Sequence, residues 1–578
     1  MNTPATNDDF LNSALQQRAD YIPIDELLAE TSDGGELFQK VQKELTNNGL
    51  RTIVGPRGCG KTHMMRYAWL RCKKSPTLPF AVYVSFNRYF RLEPLLSSSV
   101  GAIHQFHSWV LARVLIALRD SIKEWKTKSS ITDTIFIDHG FSLDQLVTFV
   151  TKIERNQPLD NANQTLSESL SIEGVQNIID KVCAGFQRSR TVLLMDDAAL
   201  TLTPDYLIEF LDIVRLLKSS TIAPKASVYP GTTEVSAQFH QGQDSIPVKA
   251  WISIDDSHYD NIMQEIAIKR VKRLDNIPPD AQAMLRFASF GIPRAYLTML
   301  DEFQRGGFNN AQQGVNNIIK EHVSARISEF RSLGIKVPKF EKLVITGEEI
   351  LNEIAKELKE FNKTLVQRKE KQLTYGVQED ELTPIIERMF KLLVEAGLIF
   401  DAGTVKHGTP TRIYRRFLPH TALLLSIRAI DSGGIGGGIK QTLDAIAFKT
   451  TKHPIRKSLL TVAPNIKFEE LNFSLPKCAY CGTQRLTDNQ RFCHSCGHQL
   501  VDASTFNICL DTEITGVPGL TEWQRAQILN NLPHFRTLRD FLAKQDPAAD
   551  LLTIRGFGKR RTTKIVDVLN GFVDDYLS

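Results

Sequence analysis

The sequence lacks long apolar runs and a strong charge of one sign. No segment of its 578 residues approaches the roughly eighteen apolar residues of a membrane span. Residues 1–9 are polar and acidic, without the apolar core of a signal peptide. We therefore expect a cytoplasmic protein without a membrane partner. The net charge of +5 is too small to indicate a nucleic-acid partner by itself.

Cysteine is scarce and unevenly distributed. Of eight cysteines, four are scattered and four are clustered between residues 478 and 496. In a reducing compartment, clustered cysteines indicate a metal site rather than disulfides. The composition is otherwise that of a globular protein, with 42% hydrophobic and 23% charged residues. The length predicts about three to five domains.

Residues 55–62, Gly-Pro-Arg-Gly-Cys-Gly-Lys-Thr, match the pattern G-x-x-x-x-G-K-S/T. Residues 51–54 before them predict a strand, and residues 63–70 after them predict a helix. A strand, a glycine-rich turn and a helix N-terminus together form a phosphate cradle. A chance glycine loop is the alternative, and the two flanking elements disfavour it.

This motif predicts binding of ATP and Mg²⁺. The backbone N–H groups of the loop would converge on the phosphates. Lys61 would reach the β- and γ-phosphates, which makes it a predicted catalytic residue, and the Thr62 hydroxyl would hold Mg²⁺. The predicted nucleotide-binding residues of this loop are Gly55, Gly58, Cys59, Gly60, Lys61 and Thr62.

A second acidic strand completes the expected nucleotide site. Residues 191–195 are mostly apolar and predict a buried parallel strand, and Asp196 and Asp197 follow at its C-terminal end. Asp196 would bind Mg²⁺ through water, and Asp197 occupies the position of the general base that orients the attacking water. A buried strand that merely ends in solvated aspartates is the alternative. Residues 80–86 predict another strand of the same sheet.

Two further segments narrow the class. Residues 226–233 predict a strand that ends in small hydroxyl residues, and Gly291-Ile292-Pro293-Arg294 follows a predicted helix at 281–289. The order and spacing of these motifs resemble an AAA+ ATPase of the origin-recognition branch, over about residues 35–420. The resemblance implies that Thr232 or Thr233 touches the γ-phosphate and that Arg294, on a helical lid, is a second sensor. It also implies a homo-oligomer, or a partner ATPase or effector protein.

The sequence departs from this family in two respects. Asp197 stands where the family usually has Glu, which indicates slow or partner-stimulated hydrolysis. No arginine finger is obvious. Arg270 and Arg273 are candidates, although for each of them taken singly the solvated face of an ordinary helix is the favoured explanation.

Residues 341–430 predict a winged helix. Helices are expected at 350–364 and 382–396, and strands at 398–400 and 412–417, around a turn rich in glycine and proline. The origin-recognition family carries a winged helix here and uses it on DNA. A hairpin that merely packs on the ATPase is the alternative. The cations expected on the wing are Lys406, His407, Arg412, Arg415 and Arg416.

A glycine-rich run at 431–438 marks a boundary, beyond which two C-x-x-C-Gly knuckles predict a small zinc ribbon. Four thiolates form a closed tetrahedral Zn²⁺ site, which is structural rather than catalytic. The alternatives are a redox pair, or His494 and His498 as substitute ligands. The predicted zinc ligands are Cys478, Cys481, Cys493 and Cys496.

The C-terminal residues resemble the paired helix-hairpin-helix domain of DNA repair and recombination proteins. Residues 554–562 match h-x-G-h-G-x-x-x-small, and residues 514–520 resemble a weaker first copy. Backbone N–H groups of the second hairpin and the following helix N-terminus suit phosphate oxygens, without reading of bases. A protein-binding helical pair is the alternative. The predicted DNA-binding residues are Gly556, Gly558, Lys559, Arg560, Arg561 and Lys564, together with Arg415 and Arg416 of the wing.

The expected fold is an α/β P-loop ATPase domain with a helical lid, a winged helix, a small zinc ribbon and an all-α helix-hairpin-helix domain. The expected segments are 1–34 (N-terminal extension), 35–275 (AAA+ ATPase core), 276–340 (helical lid), 341–430 (winged helix), 431–475 (Gly-rich and basic linker), 476–505 (zinc ribbon) and 506–578 (paired helix-hairpin-helix).

The expected function is ATP-controlled binding to DNA, mostly independent of sequence, in replication, transposition, repair or defence against mobile DNA. Nothing in the chain resembles a nuclease, helicase or transferase site. A signalling NTPase switch whose C-terminal modules sense a protein is the main alternative. An ATP-independent DNA scaffold is a third, which the intact Lys61, Thr62 and Asp196 disfavour.

Overall fold

The computed structural model places the described residues in two compact units. The first unit falls within Met1–Tyr83, Cys183–Asp196 and Leu217–Leu475, and the second within Val84–Val182, Asp197–Leu216 and Pro476–Ser578. The structure describes residues 22–24, 26–32, 35–86, 92, 101–125, 134–155, 157–197, 204–230, 242–308, 310–336, 340–409, 411–431, 438–471, 478, 480–483, 492–498, 500, 510–517, 520–542, 544, 547–558, 561–563, 565–566, 568–569 and 572.

Helices and strands alternate in the first half of the chain. They are α1 (Glu36–Thr46), β1 (Arg51–Val54), α2 (Lys61–Lys74), β2 (Phe80–Ser85), α3 (Ala102–Trp125), α4 (Thr134–Asp138), α5 (Leu143–Glu154), α6 (Asn161–Ser169), α7 (Ile172–Gly185), β3 (Thr191–Asp196), α8 (Pro204–Leu216), β4 (Ile222–Val228) and β5 (Ile246–Lys249).

The second half is mainly helical, with short strands between. Its elements are α9 (Tyr259–Arg270), α10 (Pro279–Ala288), α11 (Pro293–Gly306), α12 (Ala311–Lys336), α13 (Glu341–Leu365), β6 (Glu370–Lys371), β7 (Tyr375–Gln378), α14 (Pro384–Glu395), β8 (Ile399–His407), β9 (Arg412–Pro419), α15 (Thr421–Ser426), α16 (Ile439–Ile446), β10 (Lys449–Thr450), α17 (Leu459–Val462), α18 (Glu522–Asn531), α19 (Leu538–Leu542) and α20 (Pro547–Leu552).

A five-stranded sheet forms the core of the first unit, in the order β2-β3-β4-β1-β5. Strand β1 pairs in parallel with β4 and β5, and β3 pairs in parallel with β4. Every residue of β3 and β4 is buried, as expected for strands covered on both faces. Because parallel strands end at the same edge, the ends of β1, β3 and β4 all lie where ligands bind in open α/β sheets.

Lys225 is a charged residue within the buried strand β4. Its ammonium donates to the carbonyls of Asn47 (2.7 Å) and Gly49 (2.5 Å), which follow helix α1. Burial lowers the pKa of Lys225 to about 7. The contact satisfies carbonyl groups beyond the end of α1 and holds that helix against the sheet.

The part of the first unit near residue 400 contains the expected helix and strands, with one strand that the sequence analysis missed. Helix α14 is capped by the Thr383 hydroxyl and ends at Glu395, two residues before Gly397, whose φ is 71°. Strands β7, β9 and β8 form an antiparallel sheet in that order, and β7 was not expected. The helix predicted at 350–364 is the longer α13, which begins at Glu341.

The segment predicted as a linker at 431–475 contains ordered elements in its described part. Residues 432–437 lie outside the described residues, but the chain after them is folded into the first unit. Strand β10 pairs in parallel with β6. The buried Lys371 ammonium donates to the carbonyls of Ile446 and Phe448, and the Gln372 amide donates to Thr451 Oγ1 (2.6 Å). These buried polar groups require partners, and residues 446–451 supply them.

Within the segment 35–275 assigned to the ATPase core, residues 84–182 and 197–216 fall in the second unit. Aromatic residues explain why this region packs on itself: Phe106 stacks on Tyr206 (ring centroids 4.3 Å apart), and Phe86 contacts both Trp109 and Phe210. Among the residues that the structure describes, no helix combines the length and the apolar character needed to cross a bilayer.

Candidate functional site

The loop between β1 and α2 has the backbone conformation of a phosphate cradle. Gly58 (φ 85°) and Gly60 (φ 98°) both adopt the left-handed conformation that favours glycine. Helix α2 begins at Lys61, its N-cap is Gly60, and no side chain caps it. The helix N-terminus therefore offers backbone N–H groups and a partial positive charge to an anion.

Two glycines of this loop allow neighbouring side chains to approach the loop backbone closely. A Cβ on Gly55 would lie 2.5 Å from Cys59 Sγ, and a Cβ on Gly58 would lie 3.1 Å from the Cβ of Arg294. The Arg294 backbone N–H donates to the Gly58 carbonyl over 3.3 Å. The structure thus brings the predicted second sensor against the loop. Burial raises the pKa of the Cys59 thiol, which keeps it protonated.

Lys61 lies over the loop that precedes it. Its ammonium donates to the carbonyls of Gly55 (2.6 Å) and Pro56 (3.1 Å). It also lies 4.4 Å from the ring centroid of Tyr229, at the end of β4. Tyr229 was not identified as a site residue from the sequence, although it lies within the strand expected at 226–233. The predicted sensors Thr232 and Thr233 lie outside the described residues.

Asp196 ends strand β3 and is only 1% exposed. Its Oδ2 accepts a hydrogen bond from the Tyr83 hydroxyl (2.9 Å), whereas its Oδ1 is buried without a partner among the described residues. A buried carboxylate oxygen without a partner is costly unless it binds a cation or water. The donor set of Asp196 and the Thr62 hydroxyl therefore fits Mg²⁺. Tyr83, which orients Asp196, was missed from the sequence.

Asp197, the next residue, falls within the second unit. It has a φ of 53°, unusual for a residue other than glycine, and its Oδ2 accepts a hydrogen bond from Ser85 Oγ (3.3 Å). The strained backbone turns the chain sharply where β3 ends. Asp196 and Asp197 therefore have different hydrogen-bond partners despite their adjacency.

The turn before Arg294 is held rigidly. Gly291 has a φ of 73°, and a Cβ at this position would lie 2.1 Å from the Ile252 carbonyl oxygen. The Trp251 indole N–H donates to the Phe290 carbonyl (2.8 Å), and Pro293 occupies the first turn of α11. Only glycine fits this turn, which sets the position of Arg294.

The candidate arginine fingers differ in their surroundings. The Arg270 guanidinium lies 3.2 Å from a Glu30 carboxylate oxygen, and burial lowers its pKa. Arg273 has a φ of 57° and caps a short 3-10 turn. An intramolecular ion pair therefore balances Arg270, so its charge already has a role within the first unit.

The turn between α14 and β8 touches the phosphate loop, which the sequence did not indicate. A Cβ on Gly397 would lie 3.3 Å from Ile292 Cδ1 and 3.6 Å from Pro56 Cβ. Nearby, the rings of Trp251 and Phe400 meet edge to face with centroids 4.8 Å apart. The helix and strands predicted as a winged helix thus pack directly beside the loop and the lid turn.

Two of the cations expected on the wing are engaged within the fold. Arg415 forms ion pairs with Asp401 (2.7 Å) and Glu387 (2.8 Å), and Arg416 donates to the Ala402 carbonyl (2.6 Å). Lys406 and Arg412 are exposed, and His407 is half-buried. Two carboxylates thus balance the charge of Arg415 within the fold, and its assignment to DNA stays a prediction.

Four cysteines form a cluster in the second unit. The Sγ atoms of Cys478, Cys481, Cys493 and Cys496 all lie within 4.8 Å of one another. In each knuckle the glycine N–H donates to the carbonyl of the first cysteine, over 2.8 Å and 2.9 Å, and Gly482 and Gly497 have φ near 70°. The four cysteines are free thiols, so the cluster fits a four-thiolate metal site and not a disulfide pair.

The thiols of this cluster do not share one pKa: that of Cys496 is raised from its ordinary value, whereas that of Cys481 is lowered. Hydrogen bonds from the Thr483 hydroxyl and backbone N–H lower the pKa of Cys481 to about 6. The ring of His498, a substitute ligand considered above, stacks on the Tyr480 ring with centroids 3.7 Å apart. The symmetric four-sulfur arrangement therefore accounts for the site without a histidine ligand.

The C-terminal hairpin lies around Gly556, whose φ is 95°. The Phe557 N–H donates to the Ile554 carbonyl and the Thr562 N–H to the Gly558 carbonyl, both over 3.0 Å, so a helical turn begins directly after the glycines. Lys559, Arg560 and Lys564 lie outside the described residues. The Arg561 guanidinium is exposed and donates to the Gly556 carbonyl (2.5 Å).

Sequence comparison identifies one family. The sequence model of the ORC-CDC6-like family matches residues 32–382, which is more than half of the chain. No curated protein matches the chain. The fold has some similarity to a Walker-type ATPase of Pyrococcus abyssi, with 12% sequence identity, a TM-score of 0.36 and coverage of 69% of this chain and 95% of that chain.

Proposed function

Since the chain belongs to the ORC-CDC6-like family, we propose that it is an ATPase whose nucleotide state controls its binding to DNA. The observation that carries the nucleotide part is the buried Asp196 Oδ1, which has no partner among the described residues and lies at the end of β3, in the sheet whose strand β1 leads into the phosphate loop. A carboxylate oxygen of this kind suits a metal ion bound with a nucleotide.

In this proposal, different residues of the first unit bind different parts of the ATP molecule. Backbone N–H groups of the loop and of helix α2 hold the phosphates, and Lys61 leaves the carbonyls of Gly55 and Pro56 to reach the outer phosphates. Thr62 and Asp196 hold Mg²⁺, which neutralises phosphate charge when bound. Arg294, fixed against Gly58, is the lid residue that senses the γ-phosphate.

Hydrolysis requires a residue that orients water, and we assign this role to Asp197. It directly follows Asp196 in the sequence, at the end of β3. Because the Asp side chain is shorter than that of Glu, we expect slow basal hydrolysis. Thr232 or Thr233 completes the sensor set in this proposal.

The DNA-binding part of the proposal rests on the C-terminal hairpin and its charge. Residues 551–566 contain five cations and no acid, and the glycines allow phosphate contacts by backbone N–H groups. The hairpin would contact mainly the phosphate backbone of the DNA, so the affinity should fall steeply as the salt concentration rises. Lys406 and Arg412, both exposed, supply further positive charge in the first unit.

The test is ATP turnover by the purified chain, with and without random-sequence duplex DNA. We expect DNA to stimulate turnover and Lys61→Ala to lower it by about 100-fold or more, because the contact to the phosphates is lost. Nucleotide binding without turnover, and without any effect of DNA, would instead favour the signalling switch that senses a protein.

A second variant tests the DNA contact directly. Replacing Lys559, Arg560 and Arg561 together with Ala should weaken duplex binding and lower the salt slope by about 2 to 3, because each phosphate contact contributes about one. A filter-binding or anisotropy titration at several salt concentrations measures both. Unchanged affinity and slope would refute DNA binding by this hairpin.

A further inference from the structure

A tryptophan beside the C-terminal hairpin is unusually exposed. Trp523, in the first turn of α18, is 46% exposed. The other four tryptophans of the chain are at most 7% exposed, as is usual for a side chain that buries a large apolar area. Its exposure therefore calls for an explanation other than packing.

The Trp523 ring, at the start of α18, lies against the hairpin around Gly556. A Cβ on Gly556 would lie 3.4 Å from the ring, and the Phe557 ring centroid is 5.7 Å away. The Arg561 guanidinium lies 5.0 Å from the ring centroid while it donates to the Gly556 carbonyl. The half-exposed indole thus lies within the proposed phosphate-binding turn, next to a cation.

The start of α18 is held in place around this ring. Thr521 caps the helix by accepting from the Gln524 N–H (3.2 Å), and the Gln524 side chain accepts from the Thr521 N–H (2.9 Å). The Arg525 guanidinium donates to the Val517 carbonyl (2.8 Å). These contacts fix the backbone at Trp523, so little conformational entropy is lost when the ring binds a partner.

We propose that Trp523 stacks on an unpaired base, which gives the C-terminal module a preference for DNA with single-stranded positions. This inference rests on the proposed DNA binding. The bases of an intact duplex are already stacked on both faces, and insertion between them costs the unstacking of a step. A base at a gap has an open face, and stacking on an aromatic ring is tolerant of sequence. Arg561 would hold the adjacent phosphate.

The test compares binding to a random-sequence duplex and to the same duplex with a short single-stranded gap. The wild-type chain should bind the gapped DNA about tenfold more tightly, and Trp523→Ala should reduce that ratio to about one. Trp523→Phe, which keeps a stacking ring, should retain most of the preference. Leu552→Ala is the matched control, because Leu552 is 43% exposed in the same module and is not aromatic.

Tryptophan fluorescence supplies a second readout that does not depend on affinity. Because Trp523 is the exposed tryptophan, gapped DNA should quench a fraction of the emission that Trp523→Phe lacks. Equal affinity of the wild type for both DNAs, or equal quenching of both proteins, would overturn the proposal. If the wild type binds neither DNA, the proposed function itself fails. If it binds both equally, only the role of Trp523 fails.

Discussion

Gly291→Ala is expected to destabilise the first unit by about 3–5 kcal/mol and to abolish ATP binding. The added Cβ would lie 2.1 Å from the Ile252 carbonyl oxygen, and the positive φ of 73° is strained for any residue with a Cβ. Relief of this clash requires the lid turn to move away from Ile252. Since Arg294 follows three residues later, its contact with Gly58 would be lost with the turn.

Gly403→Ala is the matched control for this variant. Gly403 has almost the same φ, 77°, but nothing lies within 4 Å of the Cβ position. Its substitution should cost only the backbone strain, about 1 kcal/mol, and leave ATP binding intact. Thermal melting and titration with a fluorescent ATP analogue measure the two effects. If the two variants behave equally, the close approach of Gly291 to the Ile252 carbonyl is not essential to the lid.

Cys493→Ser is expected to release the metal from the four-cysteine cluster and to unfold the ribbon around it. The hydroxyl does not ionise as a thiol does, so a four-thiolate site loses one ligand of the closed shell. Binding of structural zinc contributes about 10–16 kcal/mol in small zinc domains, which makes metal loss equivalent to local unfolding. We expect one bound zinc ion per chain in the wild type and none in the variant.

Cys183→Ala provides the control for metal loss. Cys183 is a buried cysteine outside the cluster, with its thiol 3.3 Å from the Arg188 carbonyl oxygen. This variant should keep its zinc. Metal analysis after dialysis, followed by limited proteolysis, separates the two variants, because the unfolded ribbon should be cut near residues 480–500. A wild-type protein without zinc, resistant to chelators and proteases, would disprove the zinc site.

Local motifs could be predicted from the sequence because each is short and is built by the backbone. The loop at 55–62 needs glycine where φ is positive, and Gly58 and Gly60 satisfy this need. The cysteine knuckles place their sulfur atoms through the spacing within each knuckle. In both cases neighbouring residues in sequence determine the geometry, so no distant contact has to be known.

The environment of these motifs could not be predicted, because distant residues create it. Tyr83 reaches Asp196 only through the pairing of strands in the sheet, and Gly397 approaches Pro56 only after the lid has packed. The sequence places Arg415 among the cations of the wing, yet it forms ion pairs with Asp401 of β8 and Glu387 of α14. Residues 446–453 were assigned to a linker, yet they accept hydrogen bonds from the buried Lys371 and Gln372 side chains.

The amino-acid sequence by itself determined the phosphate loop, the acidic strand, the cysteine cluster and membership of a family. Tertiary structure alone decided which oxygen of Asp196 has no partner among the described residues, which arginines are already paired, and where the two units divide. The physical reason is the distance along the sequence between the residues that interact. Backbone conformation and ligand spacing are local, whereas burial and charge balance depend on side chains brought together from distant parts of the chain.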